Sequence, residues 1–126
     1  VVVENNSIGV GVLNNIVKLG YTRLYYQSDP LTGGIKQRPG FFTSAPSKRA
    51  LVQRAMQVVN EGYLYTQDEI LVKQLQYFRQ TDEQYEAAPG WHDDSAMAFM
   101  LALQGVEQAY PLAGRKRPIV KYGLRI

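Results

Sequence analysis

Gly90-Trp91-His92-Asp93-Asp94-Ser95-Ala96-Met97 sets two adjacent carboxylates in front of an apolar run that continues to Leu103. Aspartate is a favoured N-cap residue, and a carboxylate is stabilised by the positive end of a helix dipole. The run behind the carboxylates is apolar on almost every side, which is typical of a fully buried helix. The stretch therefore predicts a buried helix over residues 92–104 that projects at least one carboxylate from its N-terminus.

Two interpretations of this acidic pair remain open. Asp93 and Asp94 can both serve only as helix caps. However, one cap needs one acid, and two like charges side by side repel each other. A bound divalent cation would relieve that repulsion, so the pair is also a candidate metal site.

A second candidate acid stands at the end of the first predicted strand. Val1-Val2-Val3 is a run of β-branched residues typical of a buried strand, and it ends at Glu4. A helix is predicted over residues 7–19, followed by a second strand over residues 24–26. Because a helix connects the two strands, they should be parallel neighbours, with Glu4 at the sheet edge where ligands bind in open α/β sheets.

Composition excludes several kinds of site. The chain has 126 residues, enough for one domain with a real core, and no cysteine, which rules out thiolate zinc sites, disulfides and a cysteine nucleophile. The only histidine is His92, so no site can use two imidazoles. Since no apolar stretch is long enough to span a membrane and no signal-like segment opens the chain, we expect a cytoplasmic protein without a membrane partner.

Positive charge is concentrated in the first half of the chain and in residues 115–126, whereas residues 64–114 are mainly acidic. Separated basic and acidic faces suit a protein that holds a polyanion and carries out metal chemistry on it. A basic tail that only keeps the protein in solution is an equally simple explanation. The candidate phosphate contacts lie in the loop over residues 28–40, at a helix start and in the tail: Lys36, Arg38, Lys48, Arg49, Arg115, Lys116 and Arg117.

Three blocks, in this order and spacing, resemble the nuclease domain of phage terminase large subunits, the motors that package and cut viral DNA. The resemblance covers residues 1 to about 104, and its most specific element is the His-Asp-Asp block. The blocks are Val3-Glu4-Asn5-Asn6 with Leu13, Gly20-Tyr21 and Leu24-Tyr25; Gly40-Phe41-Phe42-Thr43 with Lys48; and Gly90-Trp91-His92-Asp93-Asp94 with Met97-Ala98.

The resemblance implies an α/β fold of the ribonuclease H-like type, with three layers and a mixed sheet that lacks the first strands. It implies that Glu4, Asp93 and Asp94 help to hold two Mg²⁺ or Mn²⁺ ions, with Asp94 as the inner ligand and Asp93 as a cap or outer ligand. His92 would contact the scissile phosphate or orient an acid. The implied partners are double-stranded DNA, the portal protein and the small terminase subunit.

Two parts of the family pattern are missing from this chain. The family's first acid lies on a strand before the matched region, and no Gly-x-x-x-x-Gly-Lys-Ser/Thr phosphate loop occurs. Asp29 is a conceivable substitute acid, although the Pro30 after it favours a turn role. We therefore expect residues 1–114 to be a partial nuclease domain that cuts weakly or not at all, with residues 115–126 as a basic tail or edge strand.

The missing strand has two further consequences. The sheet should have an open edge beside residues 1–4, which we expect residues 119–126 or a second copy of the chain to cover. The alternative function is a catalytically inactive remnant that keeps the fold and binds DNA or protein.

Overall fold

The computed structural model describes residues 1–29, 32–81 and 84–109. These residues form a mixed α and β structure of four helices and one small sheet. The sheet is antiparallel, and Phe78 pairs with Ala87 at one end and Gln80 with Tyr85 at the other. The elements in chain order are α1 (Ile8–Lys18), α2 (Ala45–Asn60), α3 (Glu69–Gln76), β1 (Phe78–Gln80), β2 (Tyr85–Ala87) and α4 (Asp94–Ala109).

Residues 1–4 and 24–26 do not form the two adjacent strands that were predicted, and only one pair of backbone hydrogen bonds between them has the parallel pattern. The Val1 nitrogen donates to the Arg23 carbonyl at 2.8 Å, and the Tyr25 amide donates to the Val1 carbonyl at 2.9 Å. This alternation, in which one residue bonds to both neighbours of its partner, is the parallel pattern. The pairing does not extend into the mixed sheet predicted, because a third segment enters between the two strands.

That third segment is the Gly40-Phe41 pair. Glu4 forms a parallel bridge with Phe41, and Tyr26 forms one with Gly40. Gly40 has a φ of +102°, and a Cβ atom there would lie 2.7 Å from the Leu13 side chain. Only glycine therefore allows this segment to enter so close to α1.

Gly9 lets the start of α1 lie directly on residue 4. A Cβ atom at Gly9 would be 1.8 Å from the Glu4 carbonyl oxygen, a distance that no side chain can tolerate. A close approach of two backbones is therefore present at Gly9. It is absent at Gly11, where an added Cβ would meet nothing within 4 Å.

The start of α2 is capped by two serines. Ser44 is the N-cap, and its side chain accepts from the Ser47 amide while the Ser47 hydroxyl accepts from the Ser44 amide. Pro46 occupies the first turn, where its missing N–H costs nothing. The apolar face of α2 then packs against α4 and forms the core with Phe41; the buried residues of this core are Phe41, Leu51, Val52, Ala55, Ala96, Met100 and Leu101.

The expectation that the last helix is buried all round is wrong. Ala96, Met100 and Leu101 are buried, but Ala98 and Ala102 are exposed. The helix packs on α2 and α3 from one side. Small alanines on the other side carry little apolar surface, so their exposure costs little.

An ion pair between Arg54 on α2 and Glu107 on α4, with 2.5 Å between Nε and Oε1, joins the far ends of the packed helices. Tyr25 lies nearby, with its ring tilted against that of Phe41 at 6.2 Å. Burial, and secondarily the negative charge of Glu107, raise the pKa of the Tyr25 hydroxyl above its ordinary value of 10.0.

The backbone of Tyr26 forms hydrogen bonds with a side chain of α4. The Gln108 amide group accepts from the Tyr26 nitrogen and donates to the Tyr26 carbonyl, as a neighbouring strand would. Residues 119–126, which were predicted to cover the open edge beside residues 1–4, lie outside the described residues. Among the residues described, no helix is long and apolar enough to cross a membrane.

Candidate metal and nucleic-acid site

Glu4 lies where its strand leaves the paired region. Its backbone is bridged to Phe41, and the Asn5 amide donates to the Phe41 carbonyl at 2.7 Å. The side chain is partly buried, and its Oε1 accepts from the Asn6 amide group at 3.1 Å. A carboxylate offers about four lone-pair positions, so this one contact leaves capacity for a cation.

The N-terminus of α4 is capped by a residue of another helix. The Oε1 atom of Gln74, which is only 8% exposed, accepts from the amides of Ser95 at 2.7 Å and Ala96 at 3.1 Å. Asp93 contributes its backbone carbonyl, which accepts from the Met97 amide. Within the described residues, the two amides that an aspartate cap would bind are therefore occupied by Gln74.

The carboxylate of Asp93 instead faces α2. Its Oδ2 lies 3.8 Å from the Lys48 ammonium, and both side chains are partly exposed. The structure thus brings together one predicted metal ligand and one predicted phosphate contact. An exposed pair at this distance adds little stability.

Asp94 and His92 are exposed beside this pair, Asp94 as the first residue of α4. Glu4 pairs in parallel with Phe41, and the chain turns into α2 four residues after Phe41. The segments around Glu4 contact the C-terminal part of α4, where Val2 lies against Gly105 and Gln108 bonds to Tyr26. Asp94, in contrast, begins that helix.

No group of three or more histidine, aspartate or glutamate side chains is placed to hold a metal ion in the part of the chain that the structure describes. The predicted separation of about 4–7 Å between the carboxyl groups of Glu4 and Asp94, which a shared cation requires, stays a prediction. So do the metal-binding role of Asp93 and the role of His92.

The predicted phosphate contacts occupy different surroundings. Lys36 lies over the Phe42 ring, 4.3 Å from its centroid, and Arg38 lines a cavity of about 430 Å³ between α1 and the loop before Gly40. Arg49 is exposed on α2. The remaining three, Arg115, Lys116 and Arg117, lie outside the described residues.

Gln74 is the residue that sequence reasoning missed. Gln74 follows Leu71 by three residues and therefore lies on the same face of α3. Both residues are buried. A glutamine at helical spacing on an apolar face is the signal that could have revealed it, because a buried amide needs a hydrogen-bond partner.

Two aromatic rings stack beside the acidic pair. The rings of Tyr77 and Trp91 lie 4.0 Å apart between centroids with an angle of 14° between their planes. They are 44% and 41% exposed, respectively. Trp91 directly precedes His92 in the chain.

No protein-family model, curated protein or solved structure matches this chain. The chemistry open to the site follows from its residues. The carboxylates of Asp93 and Asp94 and the nearby Lys48 ammonium, at the start of α4, are groups that suit a hard divalent cation together with a phosphate group.

Proposed function

We propose that this chain is part of the metal-dependent endonuclease domain of a phage DNA-packaging terminase large subunit, with a ribonuclease H-like fold. The observation that carries the proposal is the capping of α4 by Gln74. Because Gln74 satisfies the helix amides, the paired carboxylates of Asp93 and Asp94 are not needed as caps. Two charged groups kept together at a helix start without that structural task are better explained by a ligand.

The position of Glu4 supports the same function. Glu4 pairs in parallel with Phe41, shortly before the start of α2, and Gly9 allows α1 to begin directly over the Glu4 backbone. The resemblance assigns acids to these positions. The parallel pairing is consistent with the order of elements that the resemblance implies.

In this proposal Glu4 and Asp94 hold Mg²⁺ or Mn²⁺, and Asp93 serves as an outer ligand. Two such ions about 3.5–4 Å apart supply an activated water and stabilise the leaving oxygen of a phosphodiester. Lys48, beside Asp93, is positioned to bind a phosphate of the DNA. His92, exposed next to the acids, contacts the scissile phosphate or orients an acid.

A second candidate function is a catalytically inactive module that binds DNA or protein. The observation that favours it is that the described residues assemble no group of three metal-ligating side chains. Both candidates predict DNA affinity. They differ in whether a cation binds at Glu4 and Asp94 and whether it supports cleavage.

We expect the isolated chain to bind one cation weakly and to nick DNA poorly, better with Mn²⁺ than with Mg²⁺, because Mg²⁺ demands more exact geometry and sheds water reluctantly. A thermal-shift titration with each ion should raise the melting temperature of the wild type and leave Glu4→Gln and Asp94→Asn unchanged. Glu61→Gln is the control, since Glu61 is an exposed acid at the far end of α2.

The same four proteins should be incubated with supercoiled plasmid at millimolar metal. Strong Mg²⁺-dependent cutting that both substitutions abolish would show that the site is complete as it stands. A cation effect that persists in both variants would remove Glu4 and Asp94 as the metal site.

DNA binding should depend steeply on salt and not on base composition, because the predicted contacts are to phosphate. Removing one phosphate contact by Lys48→Ala or Arg38→Ala should lower the slope of log affinity against log salt by about 0.9. Fluorescence anisotropy with duplexes of different composition measures this slope. Lys73→Ala, an exposed cation of α3 outside the predicted set, should leave it unchanged, and a slope near zero for the wild type would contradict the prediction.

A further inference from the structure

We propose that the stacked rings of Tyr77 and Trp91 form a platform for an unpaired nucleobase, so that the protein binds single-stranded or frayed DNA beside its acidic site. The proposal rests on the proposed function, because it gives the DNA substrate of that site a local single-stranded form. The rings are nearly parallel and their centroids are 4.0 Å apart. Each residue is more than two-fifths exposed, so the pair presents aromatic surface to solvent.

The backbone holds both rings in place before any ligand arrives. Tyr77 is the C-cap residue of α3, where its amide donates to the Lys73 carbonyl, and its own carbonyl accepts from the Ala88 amide at 2.8 Å. The Trp91 amide donates to the Ala88 carbonyl at 2.9 Å and closes the turn through Gly90, whose φ is +82°. Ala88 thus links the two ring-bearing segments, and a base can stack without the loss of loop entropy.

A cation lies close to segments that flank the platform residues in the chain. Lys48 is 3.8 Å from the carboxylate of Asp93, two residues after Trp91, and 5.8 Å from the ring centroid of Phe78, the residue after Tyr77. Two residues of chain span at most about 7 Å. A nucleotide whose base stacks on the rings therefore places its phosphate within reach of the Lys48 ammonium and near the Asp93–Asp94 pair.

The combination of flat aromatic surface and adjacent positive charge selects the ligand. Each base stacked on an aromatic side chain contributes about 1–3 kcal/mol, and this gain is largely independent of sequence. Bases inside a duplex are already stacked on each other and cannot reach the rings. The platform should therefore favour a single strand over a duplex of equal charge.

Trp91 is the only tryptophan of the chain, so its fluorescence reports directly on the platform. The full chain should be titrated in EDTA, at fixed salt, with a 12-nucleotide oligothymidylate, an abasic strand of equal length, and a duplex closed at both ends by linkers that carry no base. We expect the oligothymidylate to quench the emission strongly. The abasic strand and the closed duplex should bind without comparable quenching, because neither offers an unpaired base at the rings.

Tyr77→Leu keeps an apolar side chain but removes one ring, and it should weaken oligothymidylate binding about 5- to 100-fold, the equivalent of one lost stacking contact. Its affinity for the closed duplex should stay within twofold of the wild type. Tyr77→Phe, which retains the ring, should bind like the wild type. Tyr63→Ala is the matched control, since Tyr63 is 42% exposed at a site away from the platform.

Equal affinity of oligothymidylate and abasic strand, or unchanged Trp91 emission on binding, would overturn the proposal. So would an emission change that depends on protein concentration alone, which would identify a second copy of the chain as the occupant. These measurements contain no metal and require no cleavage. A failed platform therefore leaves the Glu4 and Asp94 tests intact, and a failed metal site leaves the stacking result intact.

Discussion

Gly9→Ala is expected to lower the free energy of unfolding by about 2–4 kcal/mol, which is more than a typical single substitution does. The added Cβ would lie 1.8 Å from the Glu4 carbonyl oxygen, so α1 and the first strand must separate. Both contacting groups belong to backbone that is already fixed by pairing or by the helix. No rotation of a side chain can relieve the overlap. Urea denaturation followed by circular dichroism measures the loss.

Gly11→Ala provides the matched control in the same helix. An added Cβ at Gly11 meets nothing within 4 Å, so alanine there should raise the stability by about 0.5–1 kcal/mol through its better helix propensity. Opposite signs for the two substitutions would separate the close contact from helix propensity. A stabilising Gly9→Ala would show that α1 does not rest on residue 4, and the position of Glu4 would have to be reconsidered.

Gln74→Leu is expected to cost about 2–3 kcal/mol. The substitution keeps much of the buried volume but leaves the amides of Ser95 and Ala96 without the acceptor that they have in the structure, and an unsatisfied buried donor costs about 1–3 kcal/mol. Gln76→Leu, at an exposed position of the same helix, should change stability by less than about 0.5 kcal/mol. Thermal and chemical denaturation of the two variants measure the difference.

The Gln74 substitution also tests the proposed role of the acidic pair. If Gln74 is the cap, Asp93→Asn should destabilise far less than Gln74→Leu, because it removes only a partly exposed ion pair with Lys48. A larger loss from Asp93→Asn would mean that this carboxylate does cap α4. The argument that it is kept for a ligand would then fail.

Elements specified by short-range interactions could be predicted from the sequence. The first helix, predicted over residues 7–19 and observed over Ile8–Lys18, and the last helix, predicted from residue 92 and observed from Asp94, both follow from side chains within a few residues of each other. Strand β1 has no such local signal, because Phe78 continues the helical spacing of Leu71 and Leu75 although α3 ends at Gln76.

The candidate site could be predicted only as a set of residue types. Adjacent aspartates, a strand-ending glutamate and basic side chains at a helix start were recognisable in the sequence. Their contacts were not, since the Lys48–Asp93 ion pair joins residues whose helices meet only in the folded protein. The predicted cation shared by Glu4 and Asp94 depends on the same kind of long-range geometry, and the metal titration tests it.

The sequence by itself determined where the helices begin, because caps, glycines and apolar periodicity act over one or two turns of chain. Only the tertiary structure decided which groups form hydrogen bonds with the helix starts and with the backbone of the extended segments. Gln74 caps a helix that begins about twenty residues later, and Gln108 bonds to the backbone of Tyr26. The Gly40-Phe41 segment pairs with Tyr26 on one side and Glu4 on the other. Such partners are selected by the packing of distant segments, since a buried N–H group can donate to any oxygen that is correctly placed. Local chemistry therefore specifies the need for a partner, and the fold specifies the partner itself.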